Sequence, residues 1–526
     1  MRHTILTPVL FATVLLGLFS QAAEPEKLTL HTRSQAQGDD GLKFTYKTVQ
    51  WDPKKTAVIV CDMWDKHWCR GATGRVGEMA PRMNRFLEDA RRRGVLIVHA
   101  PSACMGAYKD HPARKRAQEA PKAELPDFLK GWNRKLDSEK DAPWPIDQSD
   151  GGCDTPGDKS HRAWKSQIDT LRIDGADAIS DSGVEIGNLF RQRGIENVML
   201  VGVHTNMCVI GRPFGLRNMV RFGMNTVLVR DLTDAMYNPQ KSPHVSHVRG
   251  TELVVEYIER YVCPTITSTD LLGEPAFRFK EDKRPHVAII VSDDHYHGDK
   301  TLPVFADLLR DKYGCYCTVL HGEGTPNIAD TEELEKADVA ILLIRRLALP
   351  KEQLDRFRKF LDSGKPLVAL RTASHAFDVK GKAKEGEAEW RTFDADVLGG
   401  NYHGHGSNTA GSDIAIVTDK KDHPILTGVE PAKWHSKGSL YNTAPINQDA
   451  TLLMTGSAGG KTEPVTWIRK YKGGRVFYSS LGHPDDFKRE PFRTMLVNAI
   501  FWAMDRTPEE SRGAGEQESR GAGDGR

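Results

Sequence analysis

Short apolar runs rich in β-branched residues recur along this chain, each followed by a stretch with helical periodicity. That alternation restricts the chain to layered α/β architectures. The first set comprises Thr56–Asp62 (TAVIVCD), Gly94–Ala100 (GVLIVHA), Asn197–Val203 (NVMLVGV) and Asn225–Asp231 (NTVLVRD). Their continuous hydrophobicity is that of strands covered on both faces, as in a parallel sheet. Helical patterns at Pro81–Arg93 and Glu185–Arg193 end at Gly94 and Gly194, the residue type that closes helices. A second set restarts the pattern: His286–Ser292, Asp338–Ile344, Pro366–Arg371, Ala450–Gly456 and Gly474–Ser480. Two three-layer α/β domains with mainly parallel sheets are therefore expected, over 42–263 and 284–506. The Pro-containing, charged stretch 264–283 is the linker between them.

The 526 residues are ample for two cores, with 39% hydrophobic residues. Lys+Arg of 73 against Asp+Glu of 71 leave a net charge of +2, which argues against a dedicated nucleic-acid binder. Arg2 and His3 precede an apolar run, Ile5–Phe19, and the small residues Ser20, Ala22 and Ala23. This layout predicts a signal peptide over 1–23 and export to the periplasm or beyond. The run is too short to span a membrane, and no later stretch is a candidate. The tail 507–526 repeats ESRGAG and is expected to be disordered. Eight cysteines are too few for a disulfide framework, although an exported chain can carry one or two bridges. From Met105 to Ser160 the chain is polar, without clear period, and marked by Trp132 and Trp144. A lid over a site and a surface insertion both fit that segment.

Chemistry concentrates at Gly202–Val209, which reads G-V-H-T-N-M-C-V after a strand. A cysteine at a strand-to-helix junction faces unpaired backbone N–H groups, which favours a thiolate nucleophile. Arg212, one turn later, adds positive charge, and Pro213 starts or kinks the helix. A buried structural cysteine is the alternative.

With A-V-I-V-C-D at Ala57–Asp62 and R-G-I-E-N-V at Arg193–Val198, this motif resembles the isochorismatase-like cysteine hydrolases over about Leu42–Val262. The resemblance implies a Rossmann-like fold, Cys208 as nucleophile, and Asp62 as the carboxylate that takes its proton. It also implies an oxyanion hole from the backbone N–H groups of His204 and Cys208, and a cis peptide at Val203–His204. The family lysine falls on Ala176, and the nearest lysine upstream of Cys208 is Lys165, which serves only if the intervening loop is rebuilt. No cofactor and no metal are expected: His99 alone makes no site, and Asp65-Lys66-His67 follows the wrong strand for the family's metal motif.

The second half resembles ThuA-like (trehalose-utilisation) domains, relatives of the flavodoxin-like glutamine amidotransferase fold. The residues are Phe393–His405 (ending LGGNYHGH), His423–Gly428 (HPILTG), Leu440–Asn442 and Gly473–Phe487. Where amidotransferases carry a cysteine, this chain offers Arg371 and Thr372, which excludes glutamine hydrolysis by that route. Histidines in loops at strand ends, chiefly His375, His403, His405 and His483, are candidate ligand-binding groups for a sugar. The lead reading is an exported hydrolase of a small amide or related C–N bond fused to a sugar-associated domain. The alternative is a catalytically degenerate carbohydrate-binding or scaffold protein of the cell envelope. Self-association is left open.

Overall fold

The computed structural model describes residues 26–38, 41–132, 135–322 and 326–508. The expected signal peptide, and the tail from residue 509 onward, lie outside the described residues.

In the first unit the strands are β1 (Leu28–Gly38), β2 (Gly41–Trp51), β3 (Thr56–Cys61), β4 (Leu96–Ala100), β5 (Ala178–Ile179), β6 (Asn197–Val203), β7 (Asn225–Asp234) and β8 (Thr265–Ile266). They form one sheet in the order β2-β1-β8-β7-β6-β3-β4-β5. Everything from β8 to β5 pairs in parallel, whereas β1 pairs antiparallel with both β2 and β8. Every residue of β3 and β6 is buried, which explains their unbroken apolar sequences. The helix expected over Pro81–Arg93 runs from Arg70 and takes Pro81 into its interior. Its apolar face, including Val76, Met79, Met83, Phe86 and Leu87, covers one side of the sheet with Met199 and Val201. The helices Gly183–Arg193 and His247–Tyr261 cover the other side.

The second unit contributes β9 (His286–Ser292), β10 (Tyr316–His321), β11 (Val339–Ile344), β12 (Leu349–Pro350), β13 (Leu367–Leu370), β14 (Glu387–Ala388), β15 (Ser412–Ile416), β16 (Lys433–Ser436), β17 (Thr451–Ala458), β18 (Lys461–Tyr471) and β19 (Gly474–Ser479). Nine of these form a sheet in the order β10-β9-β11-β13-β19-β18-β17-β15-β16, and β12 pairs with β14 apart from it. The half from β10 to β19 is parallel, and the half from β18 to β16 is antiparallel. Both units are thus α/β with helices on a large sheet, the class that the alternating runs imply.

The stretch 264–283 is not a free connector. Thr265–Ile266 is a strand of the first sheet, and Ile266, Leu271 and Phe279 are buried in the first core. Arg82 donates to the Ser268 hydroxyl and to Glu274 (2.9 and 2.6 Å). The first unit also begins earlier than residue 42, because β1 buries Leu28 and Leu30. The two units meet along a polar seam. Arg284 and Arg249 reach Glu252 and Asp311 (both 2.6 Å), the Ala276 N–H donates to Glu333 (2.6 Å), and Tyr46 stacks on His321 at 4.8 Å. A cavity of about 130 Å³ lies in this seam, lined among others by His31, Tyr46, Arg230, Arg278, Tyr316 and Glu333. Among the described residues no helix is long and apolar enough to cross a membrane.

Candidate functional site

The carboxyl ends of β3 and β6, adjacent in the sheet, carry Asp62 and the turn that holds Cys208. Gly202 makes that adjacency possible: with φ of 108°, it presents the spot where a Cβ would sit 2.0 Å from the Cys61 carbonyl oxygen. After β6 the Val203–His204 peptide is cis, and Thr205–Val209 forms a single wide turn. The Thr205 hydroxyl pairs with that of Thr233 (2.7 Å), while Asn206 donates to the Met236 carbonyl and accepts from its N–H (2.9 and 2.8 Å). These side chains bolt the turn to β7 and the residues after it. The expected long helix is interrupted around Pro213 and resumes as Leu216–Arg221.

Asp62 is fully buried and adopts a left-handed φ of 48°. Its Oδ1 accepts from the Ser102 N–H at 2.7 Å, and its Oδ2 accepts from Arg212 Nε and Nη2 at 3.1 and 3.0 Å. The Cys208 thiol faces the same carboxylate, and the His204 N–H faces the sulfur. Burial raises the Asp62 pKa, with the Arg212 charge and these hydrogen bonds opposing it. Burial pushes the Cys208 thiol far up, and the adjacent carboxylate adds to it. A resting thiolate, as expected at a helix N-terminus, is therefore replaced by a thiol handing its proton toward a carboxylate. The single turn supplies too little aligned backbone to offset burial.

Lys165 is exposed, and its backbone N–H donates to Asp65 Oδ1 at 2.9 Å. The cation on Asp62 is Arg212, contributed from just beyond the Thr205–Val209 turn. Ala176, which aligns with the family lysine, is also exposed.

An aromatic wall flanks the pair, and sequence reasoning missed it. The Trp64 indole N–H donates to the Ser102 carbonyl (3.1 Å), and its ring stacks on Trp164 at 4.3 Å. His67 stacks on Trp164 at 5.7 Å and meets His204 edge-on at 4.9 Å. Burial pushes His204 and His67 down to about 3 and about 4, so both are neutral at pH 7. On the other flank Trp132 covers Arg212 at 4.7 Å and packs against Gly211. Trp132 and Trp164 both belong to the long connection 101–177 between β4 and β5. That connection is pinned: Glu139 is buried under Arg217 (2.6 Å) and Tyr257 (3.0 Å), and Arg114 pairs with Glu185 at 2.5 Å. His99 is a structural residue, held by Gln167 and Asp177.

In the second unit the matching position after β13 belongs to Arg371, buried and with φ of 42°. Its guanidinium donates to the Ser480 carbonyl (2.7 Å) and the Ser439 hydroxyl (3.1 Å), between the rings of Tyr296 (4.0 Å) and Tyr441 (4.7 Å). His375 is buried and stacks on Tyr402 at 4.5 Å, with Tyr441 at 6.1 Å. His405 lies 6.2 Å from Tyr441, and His483 lies 6.3 Å from Tyr296. His483 also accepts from the Asp485 N–H and caps the helix Pro484–Phe487. His403 is exposed, its ring bound to the Asn401 carbonyl. His375, His405 and His483, but not His403, thus lie beside a cluster of tyrosines that the sequence reading did not name. Among the described residues, two groups place metal-type ligand atoms within 4.8 Å of one another: Cys69, Cys153 and Asp154, and His31, Asp270 and Asp330. Neither contains a crevice histidine.

No curated protein matches this chain. Among solved structures, an isochorismatase family protein from Burkholderia thailandensis is similar at 13% identity over 41% of this chain and 94% of its own, with a TM-score of 0.24. ThuA-like proteins from Bacteroides uniformis and Parabacteroides merdae are similar at 18% and 14% identity. They cover 45% and 42% of this chain and 99% and 90% of their own, with TM-scores of 0.34 and 0.32. Residues 287–503 match the family model described as ThuA, trehalose utilisation. The second unit is therefore a ThuA-like domain.

Proposed function

We propose that the first unit is a cysteine-dependent hydrolase of a small amide or related C–N bond. The observation that carries this reading is the Cys208 thiol facing a buried carboxylate that Arg212 and the Ser102 N–H hold in place. A buried Asp–thiol contact is costly unless it has a use, and here the proton has an acceptor within reach. As Cys208 Sγ attacks the carbonyl carbon, its proton passes to Asp62. The backbone N–H groups of His204 and Cys208 receive the oxyanion. Asp62 then protonates the departing nitrogen, leaving a thioester. Water attacks that thioester after giving its proton to Asp62, the acid departs, and Asp62 returns the proton to the sulfur.

Arg212 acts as a positioning residue in this scheme. Its charge offsets the burial that would protonate Asp62. Arg212→Met is expected to move the acidic limb of the pH–rate profile to higher pH, with Arg212→Lys restoring part of the shift. A panel of small amides assayed for acid release tests the whole reading. Turnover that survives Cys208→Ala would end it.

For the ThuA-like unit, the tyrosine cluster around Arg371 supports binding of a neutral polyhydroxy ligand, since ring faces and hydroxyl-directed donors suit sugars. Export through the 1–23 segment belongs to the same proposal, and secretion of a reporter fused to that segment tests it.

A further inference from the structure

Two cysteines outside the proposed catalytic pair lie face to face. Cys69 is the residue before the helix Arg70–Arg93 and is fully buried. Cys153 comes from the long connection 101–177 and is half-buried. Both sulfurs fall within 4.8 Å of each other and of an Asp154 oxygen. The rest of the pair's surroundings are fixed. Cys69 Sγ donates to Asp154 Oδ1 (3.3 Å), and the Thr155 N–H donates to Cys153 Sγ (3.4 Å). The same spot packs against Met207, the neighbour of Cys208, and against Met236.

A metal is the competing occupant of two thiols and a carboxylate. Asp154 is already committed, because its Oδ2 accepts from the buried Arg75 at 2.5 Å and faces His247 at 3.6 Å. Arg75 in turn binds Asp234 at 2.8 Å. A cation placed among these groups meets a buried guanidinium, which disfavours it. A disulfide needs no such charge.

We propose that Cys69 and Cys153 form a redox-controlled disulfide that fastens the 101–177 connection to the start of the helix Arg70–Arg93, beside the nucleophile's turn. The oxidant is a small disulfide such as oxidised glutathione. The thiolate of the accessible Cys153 attacks one of its sulfurs and releases one thiol. Cys69, as thiolate, then attacks the Cys153 sulfur and releases the second, so two protein thiols become one disulfide and two small thiols are formed. The bridge closes a long loop and so restricts the unfolded chain strongly.

The test uses the full chain, incubated at pH 8.5 with oxidised or reduced glutathione, followed by thiol counting in denaturant and non-reducing peptide mapping. The expected result is loss of two of the eight cysteine thiols, with a Cys69–Cys153 linked peptide and Cys208 still free. The melting temperature should rise by roughly 5 °C or more. Reductant should abolish that rise, as should Cys153→Ala. The peptide map is read on the unsubstituted chain, so a poorly folding variant does not blunt the test. Eight thiols remaining, a bridge between other cysteines, or stoichiometric Zn²⁺ binding that blocks oxidation would each overturn the proposal.

Discussion

The two units place a left-handed, buried residue at the carboxyl end of a central strand, Asp62 after β3 and Arg371 after β13, yet they use that position in opposite ways. In the first, the strand end presents an ionisable group to a second strand end carrying a thiol. In the second, it carries a guanidinium clamped by carbonyls and two tyrosine rings. The same backbone device therefore sets a carboxylate beside a thiol in one sheet and a fixed cation between tyrosine rings in the other. Chemistry follows the side chain that the turn displays, not the fold that builds it.

The sharpest way to break this comparison is substitution at the two strand ends. Cys208→Ser and Asp62→Asn are expected to lower turnover of an amide substrate by at least about 1,000-fold, while circular dichroism stays unchanged. Arg371→Met should leave that turnover intact. It should instead destabilise the second unit by about 2–4 kcal/mol, seen as faster hydrogen exchange in β13 and β19, because it strands buried acceptors. If Arg371→Met abolished turnover, the two units would not be separate in function.

A smaller effect separates the units by pH. His67 and His204, pushed down to about 4 and about 3, are neutral when folded but bind protons when unfolded below about 6.5. Their contribution is present above pH 6.5 and is lost as pH falls toward 4. In the second unit burial pushes Asp330, Glu333 and Asp394 up to about 7, so their contribution is full below about pH 4 and is lost as pH rises toward 7. His286 and His375, both held down at about 3, oppose these three carboxyls, as Asp62 and Asp270, raised by burial, oppose the two histidines of the first unit. Between pH 6.5 and 4.5, hydrogen exchange should therefore accelerate locally around His67 and His204 and slow locally around Asp330, Glu333 and Asp394. Parallel trends would show that other groups govern the window.

The smallest expected effect is His403→Ala, which should change sugar affinity less than twofold because the ring is exposed and turned to its own loop. Tyr402→Ala should weaken it about tenfold, by calorimetry against oligosaccharides.

Strands buried on both faces were plain in the sequence because their apolar runs are unbroken. The β1–β2 hairpin was not, since β2 (GLKFTYKTVQW) exposes much of its length and mixes charge with aromatics. In the antiparallel half of the second sheet only β17 was legible, as Ala450–Gly456, while β15, β16 and β18 hid, the last with Pro464 inside it. Asp62 and Cys208 could be paired only through the resemblance to the cysteine hydrolases. The placement of Arg212 on Asp62 could not be read at all, because the charge follows the cysteine in sequence and only tertiary packing turns it toward Asp62. The wall of Trp64, Trp164 and His67 draws on distant segments, and no local period announces it.

The seam bears on how this chain can be divided. Arg284 belongs by sequence to the second unit, but its guanidinium is spent on Glu252 and Asp282, and Arg249 reaches across to Asp311. A cut at residue 284 would take from Glu252 its closer cation, leaving Arg249 at 3.3 Å, would part Arg249 from Asp311, and would strip Glu333 of the Ala276 N–H. Each half would then carry polar groups matched to the other. An ancestral exchange of either half for a homologue would have to bring the matching residues with it, so the two units are expected to be inherited as a single mosaic piece.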